Sequence, residues 1–185
     1  FVGAIEKAFA NLADSAATAE SALKLGMNVE QSTADATEEK DGSNQVETTI
    51  FAAAVDAEGK VLVAASDCVQ VKFTFTAAGA STLDTAKAIS SKRELGANYG
   101  MVAYGGAAKE WFEQAAALAQ FAVGKTVDQV KGNYSSDVDL ATSATIKLEG
   151  YVGGIEAAAA NAKDLGAVSG DELKLVITAS TTAEA

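Results

Sequence analysis

Two absences decide most of the chemistry open to this chain: among its 185 residues there is no histidine, and Cys68 is the only cysteine. Without imidazole, Ser-His-Asp and Cys-His relays are unavailable and metal ligation falls to carboxylates. Cys68 has no partner for an internal disulfide, and its place between two apparent strands predicts a small buried hydrophobe. The densest carboxylates, Asp35, Glu38, Glu39 and Asp41, lack the spacing and the closing Glu of a calcium loop, so they read as a solvated acidic turn. Val123-Gly124-Lys125-Thr126 carries the GK[ST] end of a phosphate-binding loop. Ala119, however, stands where that loop needs its first Gly, and a helix rather than a strand precedes it; helix capping accounts for these residues. No activated nucleophile or paired acid remains, so no enzyme is expected.

Composition narrows the partners. A net charge of -11 with only 14 Lys and Arg argues against nucleic acid, whose phosphates need clustered cations. No apolar run approaches the roughly 20 residues of a membrane helix, so no membrane span is expected. Lys92-Arg93-Glu94 and Lys109-Glu110 read as ordinary surface charges. Trp111 and Phe112 fall on an apolar helix face, where core packing outweighs ligand stacking.

The elements that would position any site follow from periodicity. Phe1 to about Ala17 has helical spacing of Phe1, Ile5, Ala8, Phe9 and Leu12, and Leu23–Val29 reads as a strand. Asp35–Asn44 has nothing to bury and reads as a loop. Thr48–Val55 and Val61–Val63 make a hairpin around Ala57-Glu58-Gly59-Lys60, and Val69, Val71, Phe73 and Phe75 alternate with polar residues as a strand with one wet face. Thr82–Arg93 is a candidate helix stopped by Gly96. Ala107–Val123 is the best helix, with Gly124 at its C-terminal cap, and Thr126 caps a short helix behind it. Asn133–Asp139 reads as a polar loop leading into Leu140–Thr145, of which Thr142–Thr145 reads as a β-forming and capping stretch, and a last helix opens at Gly150 or Tyr151. Strands and helices segregate, which predicts an α+β fold with an antiparallel sheet packed against several helices.

The chain also ends as it begins. Phe1–Asp35 returns without a gap as Tyr151–Ala185: FVGAIEKAFAN becomes YVGGIEAAAAN, and Leu23-Lys24-Leu25 becomes Leu173-Lys174-Leu175. A register kept through helix, loop and strand marks a repeated structural unit. The expected organisation is an end-block over 1–35, equivalent to 151–185, followed by a repeat domain over 36–185. Opening at Phe1 without Met, the chain is expected to be a processed product or a piece of something longer.

One further segment carries a pattern. Asp139, Thr142, Ser143, Ala144 and Thr145 resemble the D-x-x-[ST]-G-A-T signature of the FMN-binding domain family. Lys92-Arg93-Glu94-Leu95-Gly96, Tyr99-Gly100-Met101, Lys109-Glu110-Trp111-Phe112-Glu113-Gln114-Ala115, Val123-Gly124-Lys125-Thr126-Val127-Asp128 and Tyr151-Val152-Gly153-Gly154-Ile155-Glu156 are similar to its tandem-repeat, cell-surface members from Gram-positive anaerobes. The resemblance covers most of Val46–Ala162. It implies an FMN-binding-like fold, an extracellular or cell-surface location and FMN esterified to Thr145, with Thr142 and Ala144 lining the loop and Asp139 positioning it. Ser143 stands where the signature has Gly; if that position needs positive φ or a close ligand approach, a side chain there costs on the order of 1 kcal/mol or blocks the ligand.

Two functions follow, and the sequence leaves both open. The duplicated ends and Ser143 favour an extracellular structural module whose units join neighbouring copies head to tail in a filament or surface array. The signature favours a flavin-carrying electron-transfer module, with FMN on Thr145.

Overall fold

The computed structural model describes residues 22–161, 175 and 177–180. The helix expected over Phe1–Ala17 lies outside the described residues, as does most of the strand expected at Leu173–Ile177. The fold is α+β: a three-stranded antiparallel sheet in sequence order, followed by helices. Strand β1 (Ala22–Ala34) pairs along its whole length with β2 (Gly42–Val55), which pairs in turn with β3 (Val61–Phe75). The boundary expected between residues 35 and 36 thus falls in the turn joining two strands of one sheet, and β1 is integral to the described unit.

The β2–β3 turn lies at the expected residues. Gly59 adopts φ 79°, and the Lys60 N–H donates to Asp56 Oδ1 at 2.8 Å. Val61–Val63 and Val69–Phe75 belong to one continuous strand, so Cys68 sits mid-strand, fully buried, rather than between strands. The loop at Asp35 is shorter than expected: Asn44 already pairs with Phe73, and the acidic residues cluster around Thr37, whose Oγ1 accepts from the Glu39 and Lys40 N–H groups.

Five helices follow: α1 (Lys92–Leu95), α2 (Trp111–Ala122), α3 (Val127–Asn133), α4 (Val138–Ser143) and α5 (Glu149–Ala160). Two expectations fail here for local reasons. The helix expected over Thr82–Arg93 survives only as α1. Upstream, side chains of Ser81, Thr82 and Asp84 bind the nearby N–H groups of Leu83, Thr74 and Ala86, and the Thr82 N–H donates to Thr74 O of β3. Such side-chain partners draw the backbone out of a helical ladder. Conversely, the first half of the β-forming stretch expected at Thr142–Thr145 is helical, because Asp137 caps α4 by accepting from the Leu140 N–H at 2.8 Å and Leu140 is buried. Asn133 and Asp139 consequently close α3 and open α4 instead of lying in a loop. Thr126 caps α3 as expected, in a reciprocal box with Gln129.

One sheet face buries Phe51, Ala53 and Val55 against Leu118 and Ala122 of α2, Val130, Leu140 and the Val152–Ile155 face of α5. The other face buries Ala52, Ala54 and Val63 with Leu175. Helix α5 lies directly on β1. A Cβ added at Gly26 would fall within contact of the Ala158 N and Gly154 O backbone atoms, and one at Gly154 would enter the Phe51 ring. Glycine at these two points is what allows backbone to meet strand and ring so closely.

Candidate functional site

The most heavily charged interior of the unit lies where α1 meets the sheet. Helix α1 is only one turn long, but Ser91 and Glu94 cap its start reciprocally. Arg93 then ties it to the outer edge of β3, its N–H donating to the buried Asp67 Oδ1 at 3.2 Å and its guanidinium to Ser66 O at 3.1 and 3.3 Å. This docking drives Lys92 inward until it is 5% exposed. Its Nζ donates to Glu47 Oε1 of β2 at 2.5 Å and stands 5.0 Å from the Tyr99 ring and 5.8 Å from the Trp111 ring. Trp111 Nε1 donates to Tyr151 Oη at 2.8 Å, and Tyr99 Oη donates to Gln70 Oε1 at 2.8 Å.

Glu47, Lys92, Tyr99, Trp111, Ile146 and Tyr151 help wall a cavity of about 350 Å³. Burial and the weak dielectric set their protonation. Burial works against the Lys92 charge, but Cys68, Glu47 and the two tyrosines more than offset it and hold the ammonium above the usual lysine range. Burial pushes the Tyr151 phenol up to about 12, with Lys92 and the Trp111 hydrogen bond pulling the other way. Burial also raises the Cys68 thiol against the opposing pull of Lys92 and Thr49. All three groups therefore keep their protons at neutral pH, and the chemistry they support is charge pairing and aromatic packing.

Lys92 and Glu110 are thus not the surface charges their sequence context suggests. Glu110 is buried, caps α2 in a reciprocal box with Glu113, and accepts from the Met101 and Val102 N–H groups at 3.0 and 3.2 Å. Gln114 is a second hidden polar anchor, 1% exposed. Its Oε1 accepts from Thr145 N at 2.7 Å, Ile146 N at 3.1 Å and Thr145 Oγ1 at 3.2 Å, while its Nε2 donates to Lys109 O at 2.8 Å. The spacing of Trp111, Ala115, Leu118 and Ala122 places Gln114 on the buried helix face, so that residue was legible from periodicity. Glu47, Tyr99 and Tyr151 meet Lys92 only through the tertiary fold.

The signature residues do not converge on the cavity. Asp139 and Thr142 are exposed on α4, where Thr142 Oγ1 donates to Asp139 O at 2.9 Å. Ser143 ends α4, Ala144 is buried in the main core, and Thr145 lies exposed on the following loop. The strain expected at Ser143 is not there: it is helical, and no described residue other than glycine has positive φ. A phosphoester on Thr145 would need nearby donors or cations to accept its charge. The backbone N–H groups of Thr145 and Ile146 are both taken by Gln114, so neither is open to a phosphate there.

Gly124 and Lys125 serve the fold. Gly124 has φ 76° just past α2, and Lys125 Nζ donates to Phe121 O at 2.5 Å and sits 4.2 Å from the Phe121 ring. Among the described residues no cluster of three or more His, Cys, Asp or Glu is placed to hold a metal, and no helix is long and apolar enough to cross a membrane. Comparison with family models, curated proteins and solved structures finds no match to the chain.

Proposed function

We propose that the chain is a unit of an extracellular tandem array whose role is structural, each unit joined to neighbouring copies through the duplicated end-block. The observation that carries this reading is where the two copies of the block fall in the fold. The strand half of the first copy opens the sheet as β1, and the helix half of the second copy closes it as α5. On this reading each copy is a junction, whose helix completes one unit and whose strand begins the next, so Phe1–Ala17 closes a preceding unit. In this single chain Leu175 packs on Ala52, Ala54 and Val63 and Ala179 bridges Ile89, so the C-terminal strand must leave that face to open a following unit. The pinned polar groups of Lys92, Glu110 and Gln114 suit a rigid spacer, because satisfied buried polar networks fix one packing. The acidic surface suits a soluble extracellular array.

Chains of one, two and three units joined through the end-block test this by small-angle scattering and limited proteolysis. The maximum dimension should grow by equal increments, with a protease-resistant core over 22–161. A dimension that fails to grow with unit number, or cleavage inside the core first, overturns the proposal. A flavin absorption band in native protein, with a mass increment on the Thr145 peptide, would replace it with the electron-transfer reading.

A further inference from the structure

Homologous strands and helices carried in one chain raise a hazard that the unit must answer. Neighbouring blocks sit at high effective concentration, and exchange of equivalent elements is a low-cost route to swapped assemblies. The block copies are alike enough to compete: Leu23, Lys24 and Leu25 recur as Leu173, Lys174 and Leu175, and Gly153, Ile155, Glu156 and Ala158 recur as Gly3, Ile5, Glu6 and Ala8. Several β1–α5 contacts use residues common to both copies, among them Lys24 Nζ donating to Asn161 O and Asn161 Nδ2 donating to Leu25 O, but the copies differ at the two closest approaches. The constant offset puts Val176 opposite Gly26, and Ala4 opposite Gly154.

We infer that Gly26 and Gly154 are selectivity positions that admit only the unit's own strand and helix and reject the homologous copies. A segment over 172–184 laid in the place of β1 would bring Val176 to the Gly26 position, where even a single Cβ falls within contact of Ala158 N and Gly154 O and lies 2.8 Å from Ala158 Cα. These are backbone atoms of α5, which cannot swing aside as a side-chain tip can. A segment over 1–11 laid in the place of α5 would bring the Ala4 methyl into the ring of Phe51. That ring is itself held, 3% exposed and edge-on to Tyr151 at 5.8 Å between centroids. Both exclusions act against the wrong element without adding an attraction for the right one, which is how close homologues are told apart.

The inference rests on the tandem reading for its biological setting and also specifies the neighbours. A unit opened by Val176 requires a closing helix that stands farther from the strand than α5 does here. A unit closed by Ala4 requires a smaller residue than Phe at the place of Phe51.

The test uses the full 185-residue chain, refolded at high concentration and analysed by size exclusion with light scattering and by thermal melting. Gly26→Val should lower the melting temperature by several degrees. Adding Val176→Gly, which lets the C-terminal segment take the vacated place in another molecule, should raise it again while the mass moves to dimer and higher multiples. Gly154→Ala should lower the melting temperature beside Phe51 but not in a Phe51→Ala background. The inference is overturned if Gly26→Val melts with the wild type, if the double variant is neither larger nor more stable than Gly26→Val, or if the Gly154 and Phe51 changes are additive. Because it reads exchange in a single chain, its failure is separable from a failure of the array to lengthen with unit number.

Discussion

Replacing Gln114 with Leu should be among the most costly single changes that leave the volume of the core intact. Leu nearly matches Gln in size, so the loss is polar. Three backbone groups lose their partner: the N–H groups of Thr145 and Ile146, and the carbonyl of Lys109. A buried polar group left without a partner costs about 1–3 kcal/mol. Thr145 is exposed, and Ile146 and Lys109 are half-buried, so water can reach part of the wreckage and the lower end applies to each. The total is about 3 kcal/mol, which lowers Tm by about 6–12 °C for a domain of this size. Thr145→Val is the control, since it removes only the 3.2 Å hydroxyl contact and should cost about 0.5 kcal/mol. Chemical denaturation gives both values, and hydrogen exchange should show the Thr145 and Ile146 amides losing protection in Gln114→Leu. A Gln114→Leu variant no less stable than Thr145→Val would refute the claim that this one amide holds the loop into α5.

The remaining predictions concern the buried charge. Tyr151 has a folded pKa raised to about 12, so its contribution is fully present below the unfolded phenol value and is lost as pH rises through the folded one. Lys92, also raised, acts in the same direction. Thermal melts should therefore fall between about pH 10 and 12, and Tyr151→Phe should flatten that fall while costing about 1 kcal/mol at neutral pH through the orphaned Trp111 N–H; an unchanged alkaline profile in the variant would exclude Tyr151 as a cause. Lys92→Met should cost about 2–3 kcal/mol by stranding Glu47, and Glu47→Leu placed on top should recover part of it, because an apolar pair can replace a buried ion pair. Additive losses measured by urea titration would show that the two side chains act independently. Cys68 should react with a thiol reagent only through opening of the unit, so its labelling rate should track the unfolding equilibrium across the variants above; rapid labelling of the native protein would contradict its burial.

What could be read from the sequence was set by how local its cause is. The strands of the hairpin, the helix over Trp111–Ala122 and the Thr126 cap are written in periodicity and in side chains acting within four residues, and they stand where expected. Thr82–Arg93 misled because helix-compatible spacing was outweighed by Ser81 and Asp84 side chains binding the backbone two residues on and by Thr82 binding Thr74 of β3. Thr142–Thr145 misled in the opposite sense at its first two residues, since a single capping carboxylate one residue before Val138 was enough to start a helix that runs to Ser143. The charge at Lys92 was hidden for a different reason. Nothing near it in the chain is apolar enough to demand burial; it is carried inward by Arg93 binding β3, and its counter-ion lies 45 residues away.

The duplicated ends were plain in the sequence, yet what they do in the fold was not, because similarity by itself does not say which half of a repeat a unit keeps. The register of β1 against β2 answers that for the strand, and the contact of α5 with Gly26 answers it for the helix. The two copies are identical at the Leu-Lys-Leu triplet and at the buried Val152, Ile155 and Ala158 of the helix, and differ at Gly26 and Gly154, where a Cβ would meet α5 backbone or the Phe51 ring. On the proposed tandem reading, identity between the copies reports what every unit needs in order to fold, and divergence at Gly26 and Gly154, two positions without a side chain, reports what keeps one unit from folding with its neighbour's parts.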